Sequence, residues 1–161
     1  MKLTFKQQFF SVIIISLALF IIESLIKYYF ILNKIPDQGF YLFSFLQIGF
    51  YANEYIAFGI PLPQLLTIFL VVIILIVLSI FWWQALIKKN IWQLLSISII
   101  ILGALSNFLD RLLYGFVIDY LNIFIWPVFN LADAMIVFGV IIYLIFEFKK
   151  KRIDKVKIIK I

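Results

Sequence analysis

The sequence contains no cysteine and no histidine. Without cysteine the chain forms no disulfide and offers no thiol nucleophile. Without histidine it lacks the base of serine–histidine hydrolases and the commonest zinc ligand. Charged residues make up only 14% of the 161 residues, while 66% are hydrophobic. Ordinary soluble domains are about 45–50% apolar. A soluble core could not absorb so much apolar surface, so we predict an all-α integral membrane protein with a single domain.

Four hydrophobic runs are long enough to cross a bilayer as helices. They cover about residues 9–32, 64–86, 91–113 and 128–148, with outer segments at 33–63 and 114–127 and a basic tail at 149–161. The first run follows lysines, as the apolar part of a signal peptide would. No small-residue cleavage site comes after it, so we interpret it as the first transmembrane helix.

The lysines and arginines predict the orientation of these spans. With four spans, most basic residues fall on one side of the membrane: Lys2, Lys6, Lys88, Lys89 and the tail 149–161. Because cytoplasmic loops carry an excess of Lys and Arg, we expect both termini to be cytoplasmic. The net charge of +6 then reflects topology, and we expect no nucleic-acid partner.

The segment between the first and second spans is rich in Phe and Tyr with a rough period of two. This pattern predicts short antiparallel strands that form a platform at the outer membrane interface, where aromatic residues are frequent. Asn53 lies in this segment. It is either a polar contact to a substrate or part of an interfacial loop with no other role.

Residues 103–139 concentrate ionisable groups in otherwise apolar sequence. A charge at bilayer depth costs at least a few kcal/mol, so such residues usually have a function or a partner. Given the predicted spans, the polar residues converge on the extracytoplasmic half: Glu23, Lys27, Asn53, Asn107, Asp110, Arg111, Asp119, Asn130 and Asp133. We expect the functional site there.

Spacing suggests partners for several of these groups. Glu23 and Lys27 are four residues apart in the order that favours a helical ion pair, which would tie the first helix to its neighbours. Asn107 lies three residues before Asp110, and the same spacing recurs at 130–133 in the region of the fourth span. Each Asn can lie beside a carboxylate, orient a substrate or bond another helix. Small residues such as Ser106 favour close helix packing.

The chemistry of Asp119 and Asp133 leaves more than one function open. Two carboxylates in a low-dielectric site share a proton and can act as general base and general acid on a peptide bond. Paired intramembrane acids also serve proton or cation pathways, so a small coupled transporter is an alternative. A third possibility is a non-catalytic assembly subunit whose acids pair with a partner. We expect no cofactor and no metal.

At these residues the sequence resembles the lipoprotein signal peptidase family, also called signal peptidase II. The similar blocks are LGALSNFLDRLLYGFVIDYL (102–121) and FNLADAMIVFG (129–139), with NEYIAF (53–58) and the pair Glu23 and Lys27 upstream. Four spans and a length near 160 also agree with this family, so the resemblance covers nearly the whole chain.

The resemblance implies an aspartic endopeptidase of the bacterial cell membrane with its active site on the extracytoplasmic side. Such an enzyme removes the signal peptide from diacylglyceryl-modified prolipoproteins by cutting before the lipidated cysteine, and a monomer is expected to suffice. By motif, Asp119 and Asp133 match the catalytic pair. Other matches surround the site or touch the substrate (Asn53, Asn107, Arg111, Asn130) or support the structure (Glu23, Lys27, Asp110).

The chain departs from the family pattern at four places. Glu23 stands where Asp is usual, Tyr55 where Gly is normal and Ser106 where Gly is common. The segment from Asp119 to Asp133 is shorter than in many members. The longer Glu23 side chain is expected to shift its pairing, and the short segment to alter how the site is covered.

Overall fold

The protein is described here from a computed structural model, which covers residues 3–33, 39–56, 60–123 and 125–159, without the side chains of 151 and 153–159. This part of the chain forms four helices and one small sheet. In chain order they are α1 (Phe5–Asn33), β1 (Phe40–Phe43), β2 (Leu46–Asn53), α2 (Gln64–Ile87), α3 (Ile91–Tyr114), β3 (Val117–Ile123) and α4 (Leu131–Ile159).

All four helices are long and apolar enough to cross a membrane, α4 over Leu131–Lys150. The predicted fold class is therefore confirmed. Helix α2 contains no ionisable residue, and only Thr67 and Ala85 are buried along it. Most of its other apolar side chains are exposed, as expected for a helix solvated by lipid, while Leu78 and Trp82 are among those that pack against the core.

Helix α3 is the central helix and packs against α1, α2 and α4. Its contact with α4 depends on two glycines, because side chains there would collide with the neighbouring helix. A Cβ at Gly103 would lie 2.6 Å from the carbonyl oxygen of Ala132. A Cβ at Gly139 would lie 2.9 Å from that of Ser96. Small residues at such positions let membrane helices approach closely.

The sheet is antiparallel with the order β1–β2–β3. Strand β2 pairs with β3 in a register that sets Tyr51 opposite Asp119, with an irregularity between Ile48 and Tyr51. The backbone of Phe129 bonds to Leu121, which attaches the segment before α4 to the sheet. The sheet thus brings the chain segments on either side of α2 and α3 together.

The third strand was not expected from the sequence. We predicted a platform built from 33–63 alone and treated 114–127 as a connection, but β3 comes from the latter segment. Val117 to Tyr120 are all buried, so this strand lacks the alternation of apolar and polar residues that marks a half-exposed strand.

The ends of α4 also differ from the prediction. The helix begins at Leu131, three residues later than expected, because Phe129 is paired with β3 and Asn130 caps the helix. It continues to Ile159 instead of ending near 148. Lysine and arginine are good helix formers, so the basic tail extends the helix without breaking it.

Candidate active site

A cavity of about 510 Å³ opens between the sheet, the segment 126–129 and the ends of α3 and α4. Apolar groups from Val117, Pro127 and Ile136 form much of its wall. Its polar lining brings together groups from four parts of the chain: Tyr51, Asn53, Asn107, Arg111, Asp119 and Asp133. A cavity with convergent polar groups in an apolar wall is the usual form of a ligand or substrate site.

Asp119 is held by two asparagine amides. Asn53 on β2 donates to its Oδ2 at 2.7 Å, and Asn130 donates to its Oδ1 at 2.7 Å. The residue is only 1% exposed. Burial, and then the charge of Asp133, raise the pKa of Asp119 to about 7, against the smaller opposing effect of these hydrogen bonds. Asp119 can therefore gain or lose its proton near neutral pH.

Asp133 lies in the first turn of α4 and takes part in the cap of that helix. Its backbone N–H donates to Asn130 Oδ1 at 2.8 Å, while its Oδ2 accepts from the backbone N–H of Asn130 at 3.3 Å. This reciprocal pair is an asparagine–aspartate version of the capping box. Asn107 on α3 donates to the other oxygen, Oδ1, at 2.7 Å. The carboxylate is thereby fixed in one orientation toward the cavity.

Asn130 connects the two carboxylates. It is fully buried and precedes α4, so it is not on the fourth helix as its spacing to Asp133 had suggested. Its amide nitrogen contacts Asp119 and also lies 3.0 Å from Asn107 Oδ1. Through this one residue, the strand that carries Asp119 and the helix that carries Asp133 share a hydrogen-bond network.

Behind the cavity, Lys27 is the centre of a buried group of charges. Its Nζ lies 2.7 Å from Asp110 Oδ2 and 3.2 Å from Glu23 Oε1. The second contact has the distance of an ion pair without the geometry of a hydrogen bond. Lys27 also donates to Ser106 and Asn107 at 3.1 and 2.9 Å. These contacts join α1 to α3.

The two carboxylates beside Lys27 also bind the sheet. Asp110 Oδ2 also accepts from the backbone N–H of Ile118 at 3.1 Å. Glu23 Oε2 accepts from the hydroxyl of Tyr120. The buried carboxylates therefore fasten β3 to α1 and α3 on the side of the strand away from the cavity.

Arg111 borders the cavity and connects α3 to the segment after β2. Its guanidinium donates to the carbonyl oxygens of Asn107 and Tyr55 at 3.1 and 3.2 Å. The backbone N–H of Tyr55 donates in turn to the side chain of Asn53. At the helix end, Gln64 donates to the carbonyl oxygen of Arg111 at 3.0 Å. Arg111 thus holds the turn that presents Asn53 and leaves a positive charge beside the two acids.

Comparison with known proteins places the chain in a family. Residues 15–149 match the family described as Signal peptidase (SPase) II. The chain is 36% identical over 131 residues to the lipoprotein signal peptidase of Moorella thermoacetica, covering 81% of this chain and 87% of that protein. Over 153 residues it is 31% identical to the lipoprotein signal peptidase of Staphylococcus aureus, covering 92% and 94%. The chain belongs to the signal peptidase II family.

Solved structures agree with this membership. Two structures described as bacterial membrane enzymes superpose with TM-scores of 0.77 and 0.71 at 31% and 30% identity. They cover 88% and 84% of this chain and 89% and 90% of the compared chains. The protein is therefore a multi-pass membrane peptidase of the signal peptidase II family, and the resemblance inferred from its sequence is confirmed.

In this signal peptidase II structure the sequence-predicted residues form two adjoining groups. Asn53, Asn107, Arg111, Asp119 and Asp133 line the cavity, with Asn130 buried behind it. The other predicted residues lie outside the cavity lining, in the buried group of charges around Lys27: Glu23, Lys27 and Asp110. Within the described ranges, no group of three or more acidic residues has the arrangement of a metal site.

Sequence reasoning missed three contributors to the site. Tyr120 was given no role from the sequence, yet it is the partner of Glu23. Ser106 was interpreted as a packing residue and also binds Lys27. Tyr55 contributes its backbone oxygen to Arg111, a contact that no side-chain pattern could reveal. A tyrosine directly after a candidate catalytic Asp was the one available signal for Tyr120.

Proposed function

We propose that this protein is an aspartic endopeptidase that removes the signal peptide from diacylglyceryl-modified bacterial prolipoproteins by cutting before the lipidated cysteine. The observation that carries the proposal is the shared cavity of Asp119 and Asp133, in a chain of the signal peptidase II family. Both carboxylates are held by neutral amides. In the described part of the chain, neither forms an ion pair.

This arrangement suits a pair that shares one proton. Close like charges in a poorly solvated site disfavour double ionisation, so one carboxyl is protonated while the other is ionised. The pKa of Asp119, raised to about 7 by burial and by Asp133, supports proton exchange at neutral pH. A lysine or arginine bonded directly to either acid would oppose this by favouring the fully ionised state.

The proposed reaction uses water as the nucleophile. The ionised member of the pair takes a proton from a water between Asp119 and Asp133, and the water oxygen attacks the scissile carbonyl carbon. The protonated member hydrogen-bonds to the carbonyl oxygen and stabilises the negative charge that develops there. Collapse of the tetrahedral intermediate breaks the C–N bond, and a proton from the pair passes to the leaving amine.

The surroundings support a substrate embedded in lipid. Val137 lies in the cavity wall and is 54% exposed on the outer face of α4, so the cavity adjoins the membrane-facing surface. We propose that the signal helix packs beside this face, while the diacylglyceryl chains stay in the bilayer. Arg111 is placed to attract the polar backbone and headgroup region to the rim of the cavity.

The transporter alternative has less support. A relay across the bilayer needs ionisable groups at successive depths. In the sequence of α4 no Asp, Glu, Lys or Arg lies between Asp133 and Glu147, and in α1 none lies between Lys6 and Glu23. At 1.5 Å per residue each gap exceeds about 20 Å. The acids of the candidate site are therefore grouped at one end of the helices, far from Glu147.

Cleavage by the purified protein tests the proposal directly. The substrate is a diacylglyceryl-modified prolipoprotein in nanodiscs, and the variants are Asp119→Asn and Asp133→Asn. Each is expected to lower the cleavage rate by at least about 100-fold, since general acid–base catalysis contributes ~10²–10⁴. Glu147→Gln is the matched control: it removes a carboxylate at the other end of α4 and should cleave at the parent rate.

Two results would contradict the proposal. One is retained turnover in a folded Asp119→Asn or Asp133→Asn protein. The other is no cleavage by the folded parent, after which cation flux in liposomes would be measured. The released product must also begin at the lipidated cysteine, which mass spectrometry of the fragments determines.

We also propose that both termini face the cytoplasm and that the cavity faces the opposite side. The turn between α2 and α3 carries Lys88 and Lys89, and α4 ends in a basic segment, which fits the positive-inside rule. Because the chain has no cysteine, single substitutions can be labelled cleanly. In intact cells, Phe43→Cys should react with a membrane-impermeant maleimide, whereas Lys89→Cys should react only after lysis.

A further inference from the structure

Tyr120 follows Asp119 directly, and its side chain points away from the cavity. Alternation along a strand places neighbouring side chains on opposite faces. The ring of Tyr120 is 4% exposed and stacks on Phe30 of α1, with centroids 5.3 Å apart. It packs in a hydrophobic cluster with Phe30 and Ile118 beneath the sheet. The packing of this ring therefore fixes the strand at the residue next to Asp119.

The hydroxyl of Tyr120 bridges two other elements. It donates to Glu23 on α1 and accepts from the backbone N–H of Leu131 at 3.0 Å. That N–H belongs to the first turn of α4, where backbone donors have no partner within the helix. Burial and the charge of Glu23 raise the pKa of Tyr120, so the phenol keeps its proton and acts as the donor to Glu23.

We propose that the Tyr120 hydroxyl is a positioning group for the peptidase reaction, which sets the placement of Asp119 relative to Asp133 by bonding Glu23 and the N-terminus of α4. The inference rests on the proposed function, because it concerns the geometry of the same acid pair. Tyr120 and Glu23 would act together on both acids. Tyr120 is covalently joined to Asp119 by one peptide unit, and its hydroxyl binds the first turn of α4, which carries Asp133.

The contacts distinguish this task from simple core packing. The ring and its stack on Phe30 suffice to fill the cluster. Within the described residues, the hydroxyl instead bonds Glu23, which adjoins the site, and the start of the helix that carries Asp133. Removing it leaves a buried carboxylate oxygen of Glu23 and a helix N–H without this partner, and their relaxation would shift β3 against α4. A displacement of about 1 Å can cost ~100-fold in rate.

Tyr120→Phe is the direct test, because it keeps the ring and deletes the hydroxyl. We expect kcat per folded enzyme to fall by about 10- to 100-fold with KM nearly unchanged, since substrate contacts are left in place. Tyr143→Phe is the matched control: Tyr143 lies on α4 in the other hydrophobic cluster, and its variant should keep the parent kcat.

A second variant tests whether the effect passes through Glu23. Glu23→Asp keeps the charge beside Lys27 but shortens the side chain by one methylene, so it cannot hold both Lys27 and Tyr120. It should lower kcat as Tyr120→Phe does. In the double variant the losses should not multiply, because both substitutions break the same bridge. Glu23→Asp also provides the test if Tyr120→Phe does not fold.

The outcomes separate this inference from the proposed function. If the parent cleaves, Asp119→Asn does not, and Tyr120→Phe keeps the parent kcat, the positioning role is wrong and the proposed function stands. A loss explained wholly by a smaller folded fraction, or a rise in KM alone, would also overturn it. If the parent itself does not cleave, the proposed function has failed, whatever Tyr120→Phe does.

Discussion

Two pairs of acids lie in adjoining environments, and three of the four carboxylates are buried while Asp133 is half-buried. Glu23 and Asp110 flank Lys27 within 3.2 and 2.7 Å, so one cation bridges both acids and offsets part of their charge. Asp119 and Asp133 line a cavity and are held by the amides of neutral asparagines. The residue types are nearly the same, and the polar partner is what differs between the two pairs.

The comparison shows how environment separates structural acids from reactive ones. A buried ion pair costs desolvation energy, but removing one partner costs more, because it leaves an uncompensated charge. Asp119 has no cation bonded directly to it in the described part of the chain, and burial keeps its pKa raised, which suits proton transfer. We therefore expect the first pair to contribute mainly to stability, with Glu23 also positioning β3 through Tyr120, and the second pair to carry out the chemistry.

The largest effect on stability should come from Lys27→Met. It leaves Glu23 and Asp110 buried without their cation, and breaking a buried pair costs about 3–5 kcal/mol. Thermal unfolding in detergent measures this loss, and Lys6→Met on the exposed start of α1 is the control. Neutralising both acids in the same chain, with Glu23→Gln and Asp110→Asn, should restore part of the stability. An unchanged unfolding temperature in Lys27→Met would refute the comparison.

Asn107 is where the two groups meet, since it accepts from Lys27 and donates to Asp133. Asn107→Leu should therefore lower both the free energy of unfolding, by about 1–3 kcal/mol, and kcat. Ser106→Ala removes a partner of Lys27 alone and should lower stability slightly with kcat unchanged. Unfolding curves and cleavage rates for the two variants would show whether the groups can be separated. Equal losses of kcat in Asn107→Leu and Ser106→Ala would mean that the two groups of acids are not separable.

The smallest expected effect is a shift in the pH profile. Because the pKa of Asp119 is raised to about 7, its carboxyl is protonated below and ionised above that pH. If one protonated acid is needed, kcat/KM should fall as pH rises through about 7. The hydrogen bond from Asn53 lowers the pKa of Asp119, so Asn53→Ala should raise this pKa further. The fall of kcat/KM should then move to higher pH. If the fall of kcat/KM stays at the same pH in Asn53→Ala, Asp119 is not the group whose ionisation causes it.

Much of the architecture could be predicted without coordinates. Spans of about 20 apolar residues are imposed by the thickness of the bilayer, so hydropathy alone locates them. The cost of burying charge marks Asp119, Asp133 and Lys27 as residues with partners or functions. Small residues such as Ser106 predicted close helix packing, although not which helices meet. These features depend on composition and local spacing, and they therefore appear in the sequence.

Only the tertiary structure decided which polar side chains are hydrogen-bond partners. Asn53 and Asp119 are 66 residues apart, and Tyr120 and Glu23 are 97 apart, so no helical or strand period relates them. Local spacing paired Asn107 with Asp110, whereas the fold pairs its amide with Asp133. Hydrogen bonds need partners within about 3 Å in the right direction. Only the packing of α1, α3, α4 and the buried strand β3 determines that geometry.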